Sequence, residues 1–166
     1  MDFERLVHTY TNYLLKLSFL YVKDRQAAED IVQDVWLKVM LSKNEITSEK
    51  SYLVQITVNQ CKDYLKSWRY KKVRVIDVLG FERSASQKDE LIVIEEKSDI
   101  GKAVWQLPIK YREIIILYYY DTQTVHEVAF TLKLAEGTVK TRLIKARKLL
   151  KEQLNESDWE VLNSEA

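Results

Sequence analysis

Apolar residues return every three or four positions along most of this chain, and that rhythm predicts helices rather than strands. Phe3, Leu6, Val7, Tyr10, Tyr13, Leu14, Leu17 and Tyr21 line one face of a first helix that Asp2 can cap. Asp24 can cap a second, roughly 25–41, with Ala28, Ile31, Val35 and Val39 inward. The polar connector SKNEITSEK leads to a third, roughly 49–71, whose apolar side holds Leu53, Ile56, Cys61, Tyr64 and Leu65. Three long helices on short loops make a bundle. The pattern then fails. VRVIDVLGFERSASQKD sustains neither period and carries Gly80 and a Ser-Ala-Ser run, so residues 73–89 read as a linker, with VRVIDVL open to a short strand.

The helical rhythm resumes at Glu90 and stops before Pro108, which suits the first turn of a following helix around 109–120. Its run IIILYYY has the length of a buried strand, yet the sequence offers no second strand to pair with it, so helix is preferred. Thr124 and Glu127 have capping-box spacing ahead of a helix from Val125 to about Leu132. A break at Lys133–Ala135 precedes a long helix from Glu136 to about Leu154. The expectation is all-α: a three-helix-type N-terminal bundle over 1–72, linker 73–89, a four-helix C-terminal domain over 90–154, and an acidic tail over 155–166.

Composition supports this. The 166 residues are 46% hydrophobic and 31% charged, with three Gly and one Pro, enough to build a core and few turn residues. Cys61 is the single cysteine and cannot form an internal disulfide; a redox switch there is weighed against plain packing on an apolar helix side, and packing is preferred. No Cys/His cluster has zinc spacing, and neither His8 nor His126 sits beside a nucleophile. No cofactor, metal site or small-molecule substrate is expected. MDFERLVH lacks the apolar run of a signal peptide, and the longest apolar run, Ile114–Tyr120, is far too short to span a bilayer. A cytosolic protein without membrane insertion is the expectation.

The net charge of +1 conceals a polarised layout. Lys62, Lys66, Arg69, Lys71, Lys72 and Arg74 face only Asp63 in that stretch. Seven bases between Lys133 and Lys151 face only Glu136, while Glu152–Ala166 carries five acids and no base. Two separated basic segments point to two contacts with one polyanion, against the blander reading of solvated helix faces. Two helices joined by about three residues, the second basic, have helix-turn-helix geometry. Ala129 is small enough for close packing, and Val139 and Leu143 face the core. Thr138, Lys140, Thr141, Arg142, Lys145 and Arg147 are left outward or flanking, placed for base edges and phosphates.

Four stretches in order resemble the extracytoplasmic-function group of bacterial RNA polymerase sigma factors, in the sigma-70 superfamily. AEDIVQDVW at 28–36 is similar to the family's conserved region 2.2, and SYLVQITVNQCKDYLKSWR at 51–69 to its promoter-melting helix. LPIKYREIIILYYYD at 107–121 resembles the opening of region 4, and EVAFTLKLAEGTVKTRLIKARKLL at 127–150 its −35-reading helix-turn-helix. The resemblance implies an alternative sigma factor, not an enzyme, that binds core RNA polymerase (β′ clamp helices and β flap) and promoter DNA. It implies control by an anti-sigma factor, and any membrane association would come through that partner.

It also implies residue roles. Asp30, Gln33, Asp34 and Trp36 bind the polymerase. Tyr52, Asn59, Lys62, Lys66, Trp68 and Arg69 read and melt the −10 element, aromatics stacking unpaired bases and cations holding phosphates. Asn59 and Asp63 match the family's Asn and Asp, and the loop Asn44–Ser51 would help capture a flipped base. Thr138, Lys140, Thr141, Arg142, Lys145 and Arg147 read the −35 element. Three departures stand out. Lys133 replaces the usual turn glycine, Gln55 and Val58 stand where many members carry arginine, which predicts a weaker hold on the melted strand, and the acidic tail has no clear counterpart. That tail reads as a frayed end, with Trp159 and Leu162 able to dock back. A dimeric helix-turn-helix regulator would explain 124–150 alone, and an enzyme would need a constellation that the sequence lacks.

Overall fold

The computed structural model describes the backbone of residues 2–79 and 98–164 and the side chains of 2–67 and 98–164. Helices run α1 Phe3–Val22, α2 Arg25–Leu41, α3 Glu49–Leu79, α4 Asp99–Gln106, α5 Ile109–Ile115, α6 Val125–Leu132, α7 Glu136–Gln153 and α8 Glu156–Ser164. Among the described residues there is no strand. The chain divides into two compact units, 1–88 and 89–166.

In the first unit α1, α2 and α3 pack pairwise. Local chemistry sets the helix ends. Asp2 accepts the Arg5 amide at 3.1 Å and Asp24 the Ala27 amide at 3.0 Å, each satisfying an orphan donor. Lys23 turns left-handed (φ 59°) and closes α1 with its amide on the Phe19 carbonyl. Leu6, Leu14, Leu17, Tyr21, Val35, Val39, Leu53, Val58 and Cys61 are fully buried, each large aliphatic contributing about 1.5–3 kcal/mol by leaving water. Val58 thus belongs to the core, so the missing arginine there concerns packing rather than a strand-facing surface. α3 overruns its expected end. Backbone up to Leu79 is helical, so the first part of the expected linker, including VRVIDVL, continues the helix instead of forming a strand or loop.

In the second unit α7 is the hub, touching α4, α5, α6 and α8. Ser98 caps α4 through the Gly101 amide at 2.9 Å. The expected helix around 109–120 forms, but its last five residues, Ile116–Tyr120, widen into a π turn. The chain leaves it through left-handed Thr122, and the Gln123 amide reaches back to the Leu117 carbonyl. The Thr124–Glu127 capping box is present in both directions, at 3.2 Å and 2.7 Å. Of the expected helix from Glu90, residues 90–97 lie outside the described residues. The tail is corrected: 156–164 is a helix rather than a frayed end, because Leu162 is buried (5% exposed) and Trp159 docks on α7.

Candidate nucleic-acid interface

Lys133 makes the turn of the helix-turn-helix. It adopts the left-handed conformation (φ 55°, ψ 46°) for which glycine is usual, and the Leu134 amide closes α6 on the Ala129 carbonyl at 2.9 Å. Across the turn, His126 Nδ1 lies 2.5 Å from Glu136 Oε1, tying the start of α6 to the start of α7 and holding the Glu136 carboxyl below its usual range. Val139, Leu143, Ala146 and Leu150 are buried along the inner side of α7. Lys140, Thr141, Lys145 and Lys148 are exposed on the outer side, and Thr138 is half-buried beside the helix start. Ala135 gives α7 no side-chain cap, which leaves the first-turn amides without an oxygen from that position.

Arg142 differs from its neighbours. It is half-buried, and its guanidinium lies 4.0 Å from Glu113 of α5, a carboxylate that is itself 4% exposed. A buried carboxylate needs cations and donors around it, and Arg142 answers that need. Arg142 thus stands on the flank of α7 and makes a charge contact with α5. Arg147 is also engaged within the chain, donating to Asn163 Oδ1 at 2.6 Å with its guanidinium 5.9 Å from the Trp159 ring centre. Sequence reasoning missed Ile144, an apolar residue 71% exposed between these cations, and Phe130, equally exposed on α6. An apolar residue within a helix gives no sign of exposure in the sequence; the fold shows it for these two.

The acidic ridge of α2 forms as expected, with Asp30, Gln33 and Asp34 exposed while Ile31, Val32 and Val35 are buried. Trp36 does not join it. The indole is 9% exposed, donates from Nε1 to Thr11 Oγ1 at 3.1 Å, and meets Phe3 edge-on at 5.9 Å. Its helical position lies with Val32 and Val39, on the side that packs inward, so it is an anchor of the bundle rather than a surface contact. The ridge is instead extended by residues the sequence did not single out: Leu37, Met40 and Leu41 (75% exposed).

On α3, Asn59, Asp63 and Lys66 are exposed, and Lys62 and Tyr64 are half-buried. Tyr52 is half-buried and donates to Ser42 Oγ at 3.1 Å, pinning the start of the 42–48 connector to α3. Trp68 and Arg69 lie outside the residues whose side chains are described. Cys61 is fully buried and its thiol is pushed up to about 12 by burial, partly offset by Ser18, which leaves no reactive thiolate at neutral pH. Among the described residues no helix is long and apolar enough to cross a membrane, and no cluster of His, Cys, Asp and Glu has the makings of a metal site.

The first unit thus presents an acidic and apolar surface on α2, and the second a basic one on its helix-turn-helix. Residues 6–70 match Sigma-70 region 2, and residues 98–150 match Sigma-70, region 4. RNA polymerase sigma factor SigV of Bacillus subtilis is 33% identical over 146 residues, spanning 86% of this chain and 85% of that protein. The ECF RNA polymerase sigma factor SigX of the same organism is 27% identical over 172 residues, spanning 98% and 89%. Among solved structures, sigma factor RpoE in complex with the anti-sigma factor NepR from Bartonella quintana superposes with TM-score 0.64 at 25% identity, covering 92% of this chain and 96% of that one. CnrH in complex with the cytosolic domain of CnrY shares the fold, with TM-score 0.59 at 18% identity and coverage of 90% and 85%. The chain belongs to the extracytoplasmic-function sigma factors of the sigma-70 family.

Proposed function

We propose that each surface carries one step in directing core RNA polymerase to a promoter. The α2 ridge grips the β′ clamp helices: Asp30 and Asp34 meet basic side chains, Gln33 adds an amide, and Leu37 and Leu41 supply apolar area that raises affinity beyond a rim of charges. On α3, Asn59, Lys62 and Lys66 hold the unpaired −10 strand, cations on phosphate and the amide on a base edge. The second unit docks on the β flap and lays α7 in the major groove at −35. The observation that carries this reading is the outer face of α7, where Lys140, Thr141, Ile144 and Lys145 stand exposed beyond a turn that follows the capped helix α6.

Each of those side chains has a definite chemistry. Thr141 donates its hydroxyl to the Gly137 carbonyl at 2.9 Å, so it turns lone pairs outward and can accept from an exocyclic amine of adenine or cytosine. Ile144 suits a thymine methyl. Lys140 and Lys145 can meet guanine acceptors or phosphates, and the first-turn amides of α7 favour phosphate. The overall charge near zero keeps either unit from holding bulk DNA on its own; polymerase makes the two contacts one by raising the effective concentration of each. An anti-sigma factor covers these faces until a signal removes it, the chain works in the cytoplasm, and it performs no covalent chemistry of its own.

Run-off transcription with purified core polymerase on a library of genomic promoter fragments tests the reading. A discrete set of transcripts that requires this protein is the expected result. Stable dimers that bind palindromic duplexes without polymerase, and no stimulation of core enzyme, would replace it with a conventional dimeric regulator.

A further inference from the structure

α8 lies against the same helix that the proposed reading places on DNA. Leu154 leaves the helical conformation, Asn155 Oδ1 accepts the Asp158 amide at 2.7 Å, and the chain re-enters a helix that packs on α7 and α4. Leu162 is buried, fixing the helix to the unit. From that position α8 engages two cations of α7. Arg147 donates to Asn163 at 2.6 Å and lies 5.9 Å from the Trp159 ring centre, and Lys151 Nζ lies 5.9 Å from the same ring. At a turn of 100° per residue, Lys140, Ile144, Arg147 and Lys151 fall within about 60° of one another on α7. The cations that α8 engages therefore continue the stripe proposed to meet DNA. Glu156, Asp158 and Glu160 add three carboxylates to the covering helix.

We infer that α8 is a built-in cover over the phosphate-contacting end of the recognition helix. Duplex DNA and α8 compete for Arg147 and Lys151: the backbone phosphates offer those cations what Asn163 and the Trp159 face now supply. Packed beside α7, α8 also brings acidic side chains to a place where a phosphate backbone would pass. The isolated protein therefore holds duplex DNA weakly, and displacement of α8 releases two cations to phosphate. The inference rests on the proposed placement of α7 at DNA, and its test separates the two.

Fluorescence anisotropy with a short mixed-sequence duplex, read over a salt series, compares four forms of the full chain. They are the natural protein, a truncation after Leu154, the charge-neutral Trp159→Ala/Asn163→Ala variant, and Lys140→Ala/Lys145→Ala. The double variant keeps Leu162 and every carboxylate, and circular dichroism confirms its helix content. Expected for both the truncation and the Trp159/Asn163 variant is binding tighter by about five- to tenfold, with a salt dependence steeper by about one to two released ions. Unchanged or weaker binding by the Trp159/Asn163 variant overturns the inference, whatever the truncation does, because tightening by truncation alone reports only the loss of acidic charge. Lys140→Ala/Lys145→Ala is expected to weaken binding. If it does not, the groove placement of α7 fails, while tightening by the Trp159/Asn163 variant would still establish the cover over Arg147 and Lys151.

Discussion

Replacing Arg142 with alanine separates a brace from a base reader. In the fold its guanidinium lies 4.0 Å from Glu113, whose carboxylate is almost fully buried. Removing the cation leaves that carboxylate with less compensation. Breaking a fully buried pair costs about 3–5 kcal/mol. Arg142 is partly solvated at 29% exposure of its side chain, and 4.0 Å is a charge contact rather than a tight hydrogen bond, so about 2 kcal/mol is the reasoned loss. For a unit of this size that is a fall of roughly 10 °C in the melting temperature of the C-terminal unit. The assay is thermal and urea unfolding of the full chain, alongside Arg142→Ala/Glu113→Gln. Neutralising the carboxylate should recover about half or more of the loss, the signature of a coupled pair. If Arg142→Ala melts like the natural protein and loses only DNA affinity, the brace is wrong and Arg142 belongs with the outward readers.

Lys133→Gly should stabilise the C-terminal unit by about 0.5–1 kcal/mol, since glycine adopts the left-handed turn without strain; an unchanged or lower urea midpoint would contradict this. Burial pushes the Asp121 carboxyl up to about 6, against an unfolded value near 4. The folded state thus favours the protonated form, and its contribution is complete below about pH 4 and is lost as pH rises through 6. Asp121→Asn should accordingly stabilise the protein by about 1–2 kcal/mol at pH 8, after allowance for partial solvent screening, and by nothing at pH 4, as read from denaturation midpoints across that range. Leu17→Ala, which empties a fully buried site between the bundle helices, should cost about 2–5 kcal/mol in the same unfolding experiment.

Much of this architecture was legible because its signals are local. Asp2, Asp24 and Thr124 sit immediately before apolar periodicity and each caps a helix. Lys133 stood where the turn demands positive φ, and it adopts it. The run IIILYYY reads as helix for want of a partner strand and is helical, but its π widening, just before left-handed Thr122, has no sequence signal. The errors are of another kind. Trp36 belongs to the motif as a string, but its periodicity groups it with Val32 and Val39; position on the helix outweighs membership of a string. The charge contact of Arg142 with Glu113, 29 positions away, has no signal in the sequence, where Arg142 reads only as outward or flanking. The acidic tail reads as frayed from its charge, yet Trp159 and Leu162, the two residues the sequence offers for docking, hold it as a helix. Leu37, Leu41 and Ile144 show the converse limit. An apolar residue in a helix defaults to the core, and exposure becomes evident only when the core is complete without it.

In the proposed function, the grip on the polymerase clamp and the reading of the −35 element reside on separate surfaces, α2 and α7. The most direct test measures core-polymerase affinity and run-off transcription for Asp34→Ala/Leu37→Asp and for Lys140→Ala side by side. The α2 variant is expected to lose core affinity by about tenfold or more, with transcription recovered at high protein concentration. The α7 variant is expected to bind core polymerase normally and to fail in promoter selection at any concentration. Equal loss of core affinity in both, or no loss in the α2 variant, would contradict the division of labour on which the account stands.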